Sequence, residues 1–179
     1  MNTDSLCFAE GHPGMNVYRP QERRLVLRLL AYWDDLRGER RFPAADDIDR
    51  SVIGDDWPWC ALLEVAADHK RSRFIHVGEH LRPVDWVEGI SYSLAECPEG
   101  TLIRQATLYV EQVQDKRVSV SVSGRFVAGE RAFLYRSIIL PFSADGVVID
   151  RLLAAANFRE ITADENARSV PICSPGAGL

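Results

Sequence analysis

Three successive strand-like segments between Arg117 and Phe158 restrict what the chain can fold into. Val118-Ser-Val-Ser-Val-Ser-Gly alternates apolar and small polar residues, the pattern of a strand with one covered face. A second apolar run, Phe133 to Phe142, follows. Ser143-Ala-Asp-Gly then suits a tight reversal, because Gly accepts positive φ. A third run, Val147 to Ala156, closes the segment. Three strands joined by short turns predict an antiparallel meander packed on one side.

Upstream, Cys60-Ala-Leu-Leu-Glu-Val and Phe74-Ile-His-Val-Gly read as two shorter strands joined by a hairpin connection. Pro83, Gly89, Pro98 and Gly100 break the following section into short helices. Thr101 is placed to cap a long helix ending near Lys116-Arg117, where basic residues suit the helix dipole. Leu25, Leu29, Tyr32, Trp33 and Leu36 share one face of an amphipathic helix predicted over 21–37, with Glu22 in its first turn and Gly38 as C-cap. Its broad stripe suits either its own sheet or a second copy, so Leu25, Leu29, Trp33 and Leu36 are the candidate dimer interface. Residues 1–20 read as a flexible arm, 21–161 as one domain and 162–179 as a flexible tail.

The 179 residues suffice for one domain with a sizeable core. A net charge of −5 gives a nucleic-acid partner no general electrostatic help, so none is expected. No apolar run approaches the roughly 20 residues that span a bilayer. The N-terminus lacks the basic flank and apolar core of a signal peptide. Four widely spaced cysteines without a CxxC pair read as free thiols in a reducing cytoplasm.

No stretch carries catalytic chemistry. His76-Val-Gly-Glu-His80 matches H-x-x-E-H, but two zinc-binding imidazoles need one continuous helix face, and here the motif follows a strand and contains Gly78. Cys60 has no neighbouring His or positive field to make it a nucleophile and reads as a small buried hydrophobe. No G-x-S-x-G, dinucleotide fingerprint or P-loop occurs. The chain is therefore expected not to be an enzyme.

Two short strands, short helices, a long helix and three strands follow each other in the order of a PAS domain. The likeness extends to residues. Leu27-Arg-Leu-Leu-Ala-Tyr-Trp-Asp-Asp-Leu-Arg-Gly, then Phe42-Pro and Asp46-Asp-Ile-Asp, resemble the opening of an alphaproteobacterial PAS family whose members often stand alone. Cys60-Ala-Leu-Leu-Glu-Val, Phe74-Ile-His-Val-Gly and Ile139-Leu-Pro-Phe-Ser-Ala-Asp-Gly are similar to further motifs of that family, over about residues 22–160. One string departs. Where members often carry a Gly-Arg-Asp-Leu-Thr-Gly-like sequence after the second strand, this chain has Arg82-Pro-Val-Asp-Trp-Val-Glu-Gly.

The resemblance implies an α+β fold, a five-stranded antiparallel sheet with helices on one face, preceded by the amphipathic helix. It implies a cytoplasmic sensory or regulatory module that works through a protein partner of a signalling pathway, as a homodimer, with room for a small molecule. On strand parity, Val120, Val122, Phe126, Tyr135, Ser137 and Ile139 would line that pocket, with Tyr109 and Val113 closing it from the helix. Arg136 would take the wetter side, because an unpaired buried charge is costly. Haem through His76 or His80 is one form of this reading. The alternatives are a ligand-free dimerisation scaffold and, further off, a small α+β enzyme with a cone-shaped cavity using His76 and Asp85.

Overall fold

The predicted strands assemble into one antiparallel sheet. The structure, a computed structural model, describes residues 5–8 and 24–162. Its elements are β1 (Ser5–Phe8), α1 (Leu25–Arg37), α2 (Arg50–Ile53), β2 (Cys60–Glu64), β3 (Arg73–Val77), α3 (Leu102–Thr107), α4 (Val110–Lys116), β4 (Val120–Ala128), β5 (Arg131–Phe142) and β6 (Arg151–Glu160), with short 3-10 turns between them. The fold is α+β. Strands β2 to β6 form a five-stranded core in the order β4-β5-β6-β2-β3, and β1 adds a sixth strand beside β4. Ser5–Phe8 belongs to the stretch expected to be a flexible arm, yet it pairs with Val120–Ser123. The rest of that arm and residues 163–179 of the expected tail lie outside the described residues.

Register fixes which side chains share a face. Val120 opposes Ile139, Val122 opposes Ser137, Gly124 opposes Tyr135 and Phe126 opposes Phe133. Across the other ladder, Ile139 opposes Ala154, Ser137 opposes Ala156 and Tyr135 opposes Phe158. These residues form the inner face. Ile138, Leu140, Ala155, Leu153 and Cys60 form the outer face, whose far end bears exposed Arg125, Leu134 and Arg136. Ser137–Phe142 and Leu152–Ala156 are buried without a break, so both faces are covered there.

Helix α1 covers the outer face. Cys60 Sγ donates to the Asp56 carbonyl, and the Asp56 carboxylate receives Arg28 of α1, with Nε to Oδ2 at 2.7 Å. Trp33 Nε1 donates to the carbonyl of Pro141 at 2.8 Å. Leu25, Leu29 and Trp33, the expected dimer contacts, are thus buried in this chain's own core, and only Leu36 keeps partial exposure. Helices α3 and α4 pack on the inner face, opposite α1. Ala154 and Ala156, with side chains of one carbon, let Ile103 and Ala106 of α3 become fully buried there.

Three boundaries differ from the sequence reading, each for a local reason. Arg24 is extended, so α1 begins at Leu25 without a side-chain cap, and residues 21–23 of the expected helix, with Glu22, lie outside the described residues. The expected long helix is two short ones. Buried Thr107 donates its hydroxyl to the Ile103 carbonyl at 2.8 Å, which competes with the helical ladder, and Leu108-Tyr109 divide α3 from α4. The turn after β5 is a loop rather than a tight reversal, and β6 starts at Arg151. The Val148 and Val147 N–H groups donate to Asp145 Oδ1 at 2.7 Å, as does the Ser143 hydroxyl at 2.9 Å. Those donors hold the Asp145 carboxyl below the usual carboxylate range.

Trp33 joins α1 to the sheet by area and by one hydrogen bond. Trp33→Phe keeps most of the area and leaves the Pro141 carbonyl unsatisfied, at a cost of about 1–3 kcal/mol. Trp33→Ala should cost about 3–5 kcal/mol. Urea unfolding of the three proteins measures both, and equal stability of Trp33→Phe and the parent would refute the hydrogen-bond share.

Candidate functional site

Of the eight residues expected to line a pocket, six share the inner sheet face. Val120, Val122, Tyr135, Ser137 and Ile139 are buried, and Phe126 is half-buried. Val113 of α4 is fully buried, and Tyr109 stands half-buried at the N-cap of α4, where the helix break turns it. The centre of the layer is aliphatic, with the Ser137 hydroxyl its polar sheet residue.

At one end the layer becomes aromatic. β4, β5 and β6 run past the end of β2, whose last partner on β6 is Ala155 opposite Cys60. Phe126 stacks on Phe133 with centroids 5.1 Å apart and meets Tyr135 edge-on at 5.9 Å. Phe158 lies edge-on to Phe133 at 5.3 Å, and Trp59 reaches Phe158 at 6.2 Å. Each such pair contributes about 0.5–1.5 kcal/mol beyond its buried area. Phe158 is still 43% exposed, so the cluster is open on one side. Gly100 approaches the backbone of β4 near this end: its φ is +71°, and a Cβ there would stand 3.1 Å from the Val127 carbonyl oxygen.

Sequence reasoning paired Phe126 with Tyr135 but left Phe133, Phe158 and Trp59 out of the site. The two-residue turn Gly129-Glu130 was the available signal for Phe133, because it sets Phe126 opposite it. Nothing local could bring Trp59 to Phe158, since that contact depends on β2 lying beside β6.

The Trp57-Pro58-Trp59 segment also explains the H-x-x-E-H string. His76 lies in β3 and stacks on Trp57 at 4.3 Å, while His80 sits in the Glu79–Leu81 turn against Trp59 at 4.3 Å. Gly78 between them is where the two segments cross: a Cβ would fall 2.2 Å from the Pro58 carbonyl oxygen, so only glycine fits. The two imidazoles therefore serve two separate aromatic stacks. Among the described residues, no three His, Cys, Asp or Glu side chains converge on a metal position. Nor does a hydrogen bond or ion pair join His76 to exposed Asp85, the pair considered for acid–base work.

His76 Nε2 is buried without a hydrogen-bond partner. Burial lowers its pKa, helped by the positive charges of Arg50 and Arg82, while a backbone hydrogen bond with Trp57 acts the other way. The folded state thus binds this proton more weakly than the unfolded chain, whose His titrates near 6.5. Stability from His76 is complete above about pH 6.5 and declines as pH falls through the folded value. His76→Gln should flatten the stability–pH slope below about pH 6.5, and an unchanged slope would refute the assignment.

Burial also pushes the Cys60 thiol up to about 12 and the Cys97 thiol up to about 11. Both are protonated at neutral pH and unreactive. Peptide mapping after alkylation near pH 8 should find them unmodified in the folded protein and fully modified in denaturant; modification in the folded state would contradict their placement.

No protein-family model, curated protein or solved structure matches this chain. Among the described residues, no helix is long and apolar enough to cross a membrane.

Proposed function

We propose that this chain is a PAS-like sensory or regulatory module acting through protein–protein contact, with a flat apolar small molecule as its input. The reading rests on element order together with the half-open aromatic end. Two strands, short helices, a helical segment and three strands build one antiparallel sheet, and its inner face ends in Phe126, Phe133, Phe158 and Trp59. Aromatic faces of this kind take planar ligands by stacking, and apolar clefts with a few polar groups are the usual small-molecule sites. Tyr135 and Ser137 would orient the ligand from the sheet.

The ligand-free scaffold reading has its own support in the aliphatic centre, where Val113, Val120 and Ile139 are buried. A homodimer on either reading uses a surface other than Leu25, Leu29 and Trp33.

The test is a mass measurement of the purified protein, native and then denatured, with an absorption spectrum and titration with anilinonaphthalene sulfonate as a planar aromatic probe. The native protein should carry extra mass lost on denaturation, or bind the probe with about tenfold loss in Phe158→Ser and Phe126→Ser. A clean chain mass with no probe binding, or binding indifferent to both substitutions, would overturn the ligand half and leave the scaffold.

A further inference from the structure

The stretch Arg82 to Ser91, where the chain departs from the family string, has an unusual surface. Val84 is fully exposed, Val87 is 51% exposed and Ile90 is 55% exposed. These are all the aliphatic residues of the stretch, and Ile75 on the adjoining edge strand is exposed as well. A single exposed aliphatic residue is ordinary, whereas clustered ones mark interaction surfaces.

The loop is held firmly while it presents them. Trp86 turns inward, against Tyr92 at 4.2 Å and edge-on to Phe74 at 6.1 Å. Arg82 Nε donates to the Val77 carbonyl at 3.0 Å, and Arg82 Nη1 pairs with Glu88 at 2.6 Å. The Val87 N–H donates to the Tyr92 hydroxyl at 3.1 Å, and the Trp86 N–H to the Pro83 carbonyl at 3.0 Å. The valines on either side of Trp86 are exposed on a backbone already fixed by these bonds, so ordering them for a partner costs little further conformational entropy.

Charge selects the partner. Residues 79–100 hold five acids, Glu79, Asp85, Glu88, Glu96 and Glu99, against one arginine, Arg82. Two of the acids directly follow the exposed valines in sequence. Backbone pairing is a poor alternative: β3 is an edge strand, but Tyr92–Leu94 already bonds one end of it, and a bulge at Ile75 bends the rest. Contact must come through side chains. We infer that the Val84–Ile90 loop is a docking surface for a basic amphipathic helix of a protein partner, with aliphatic residues set among lysines or arginines. This deepens the protein-contact half of the proposed function and rests on it.

A synthetic Leu/Lys amphipathic helix and its Leu/Glu counterpart serve as probes, titrated by fluorescence anisotropy against the full chain. The Leu/Lys peptide should bind, weaken with added salt, and lose about tenfold in affinity to the triple variant V84S/V87S/I90S. The control triple variant V127S/V147S/V148S, at exposed valines elsewhere, should bind like the parent; thermal unfolding checks that both variants fold. Equal loss in both variants, equal binding of the Leu/Glu peptide, or no binding at all would overturn the assignment. So would adsorption of the parent to phosphatidylcholine vesicles in place of peptide binding, which would make the loop a membrane contact. Loss confined to the control variant would move the contact elsewhere and leave the protein-contact reading standing. The mass measurement on the same sample reports on the ligand reading independently.

Discussion

Strands β5 and β6 must be sealed on both faces, and most of the architecture follows from that requirement. The two strands share ten register pairs from Phe133–Glu160 to Phe142–Arg151, and six consecutive residues of β5 are buried. A strand apolar on both sides cannot stop at one covering layer, because the uncovered layer would lose about 25 cal/mol for each Å² left in water. Helix α1 is therefore drawn onto the outer face and α3 with α4 onto the inner one. The Ala154-Ala155-Ala156 run makes this sterically feasible on both sides. The Trp33 bond to Pro141 then fixes where along β5 the outer helix lies.

That requirement also decided what the sequence could disclose. The parity of β4 and β5 was legible because a period of two survives translation into faces, and Arg136 identified the wet side. The stripe of α1 was legible as a stripe but not as an address, since Leu25, Leu29 and Trp33 would look the same facing a sheet or a second helix. Only the double burial of β5, itself a consequence of register, resolves the choice. The α3–α4 break was hidden because Thr107 fits a helical pattern until its hydroxyl takes the Ile103 carbonyl. Asp145-Gly146 was read for its glycine, whereas the carboxylate bonding forward to Val147 and Val148 set the loop.

The aromatic end shows the same limit more sharply. His76 and His80 were visible as residues of interest, but each was judged by its neighbours in sequence. Their meaning is pairwise and long-range: the Trp57-Pro58-Trp59 segment before β2 meets the chain after β3 at Gly78, and each His is covered by a Trp from the other segment. H-x-x-E-H is thus a coincidence of spacing whose physical content is a glycine with no room for a Cβ.

The candidate ligand end and the exposed loop share one mechanical element. Trp59 touches both: its ring meets Phe158 edge-on at 6.2 Å and lies against His80 at 4.3 Å. His80 belongs to the Glu79–Leu81 turn, and the next residue, Arg82, ties the loop to β3 through the Val77 carbonyl and to itself through Glu88. A signal from one site to the other requires an element that both sites bias. The Glu79–Leu81 turn is the shortest covalent link between the two surfaces, since His80 and Arg82 are separated by Leu81 alone.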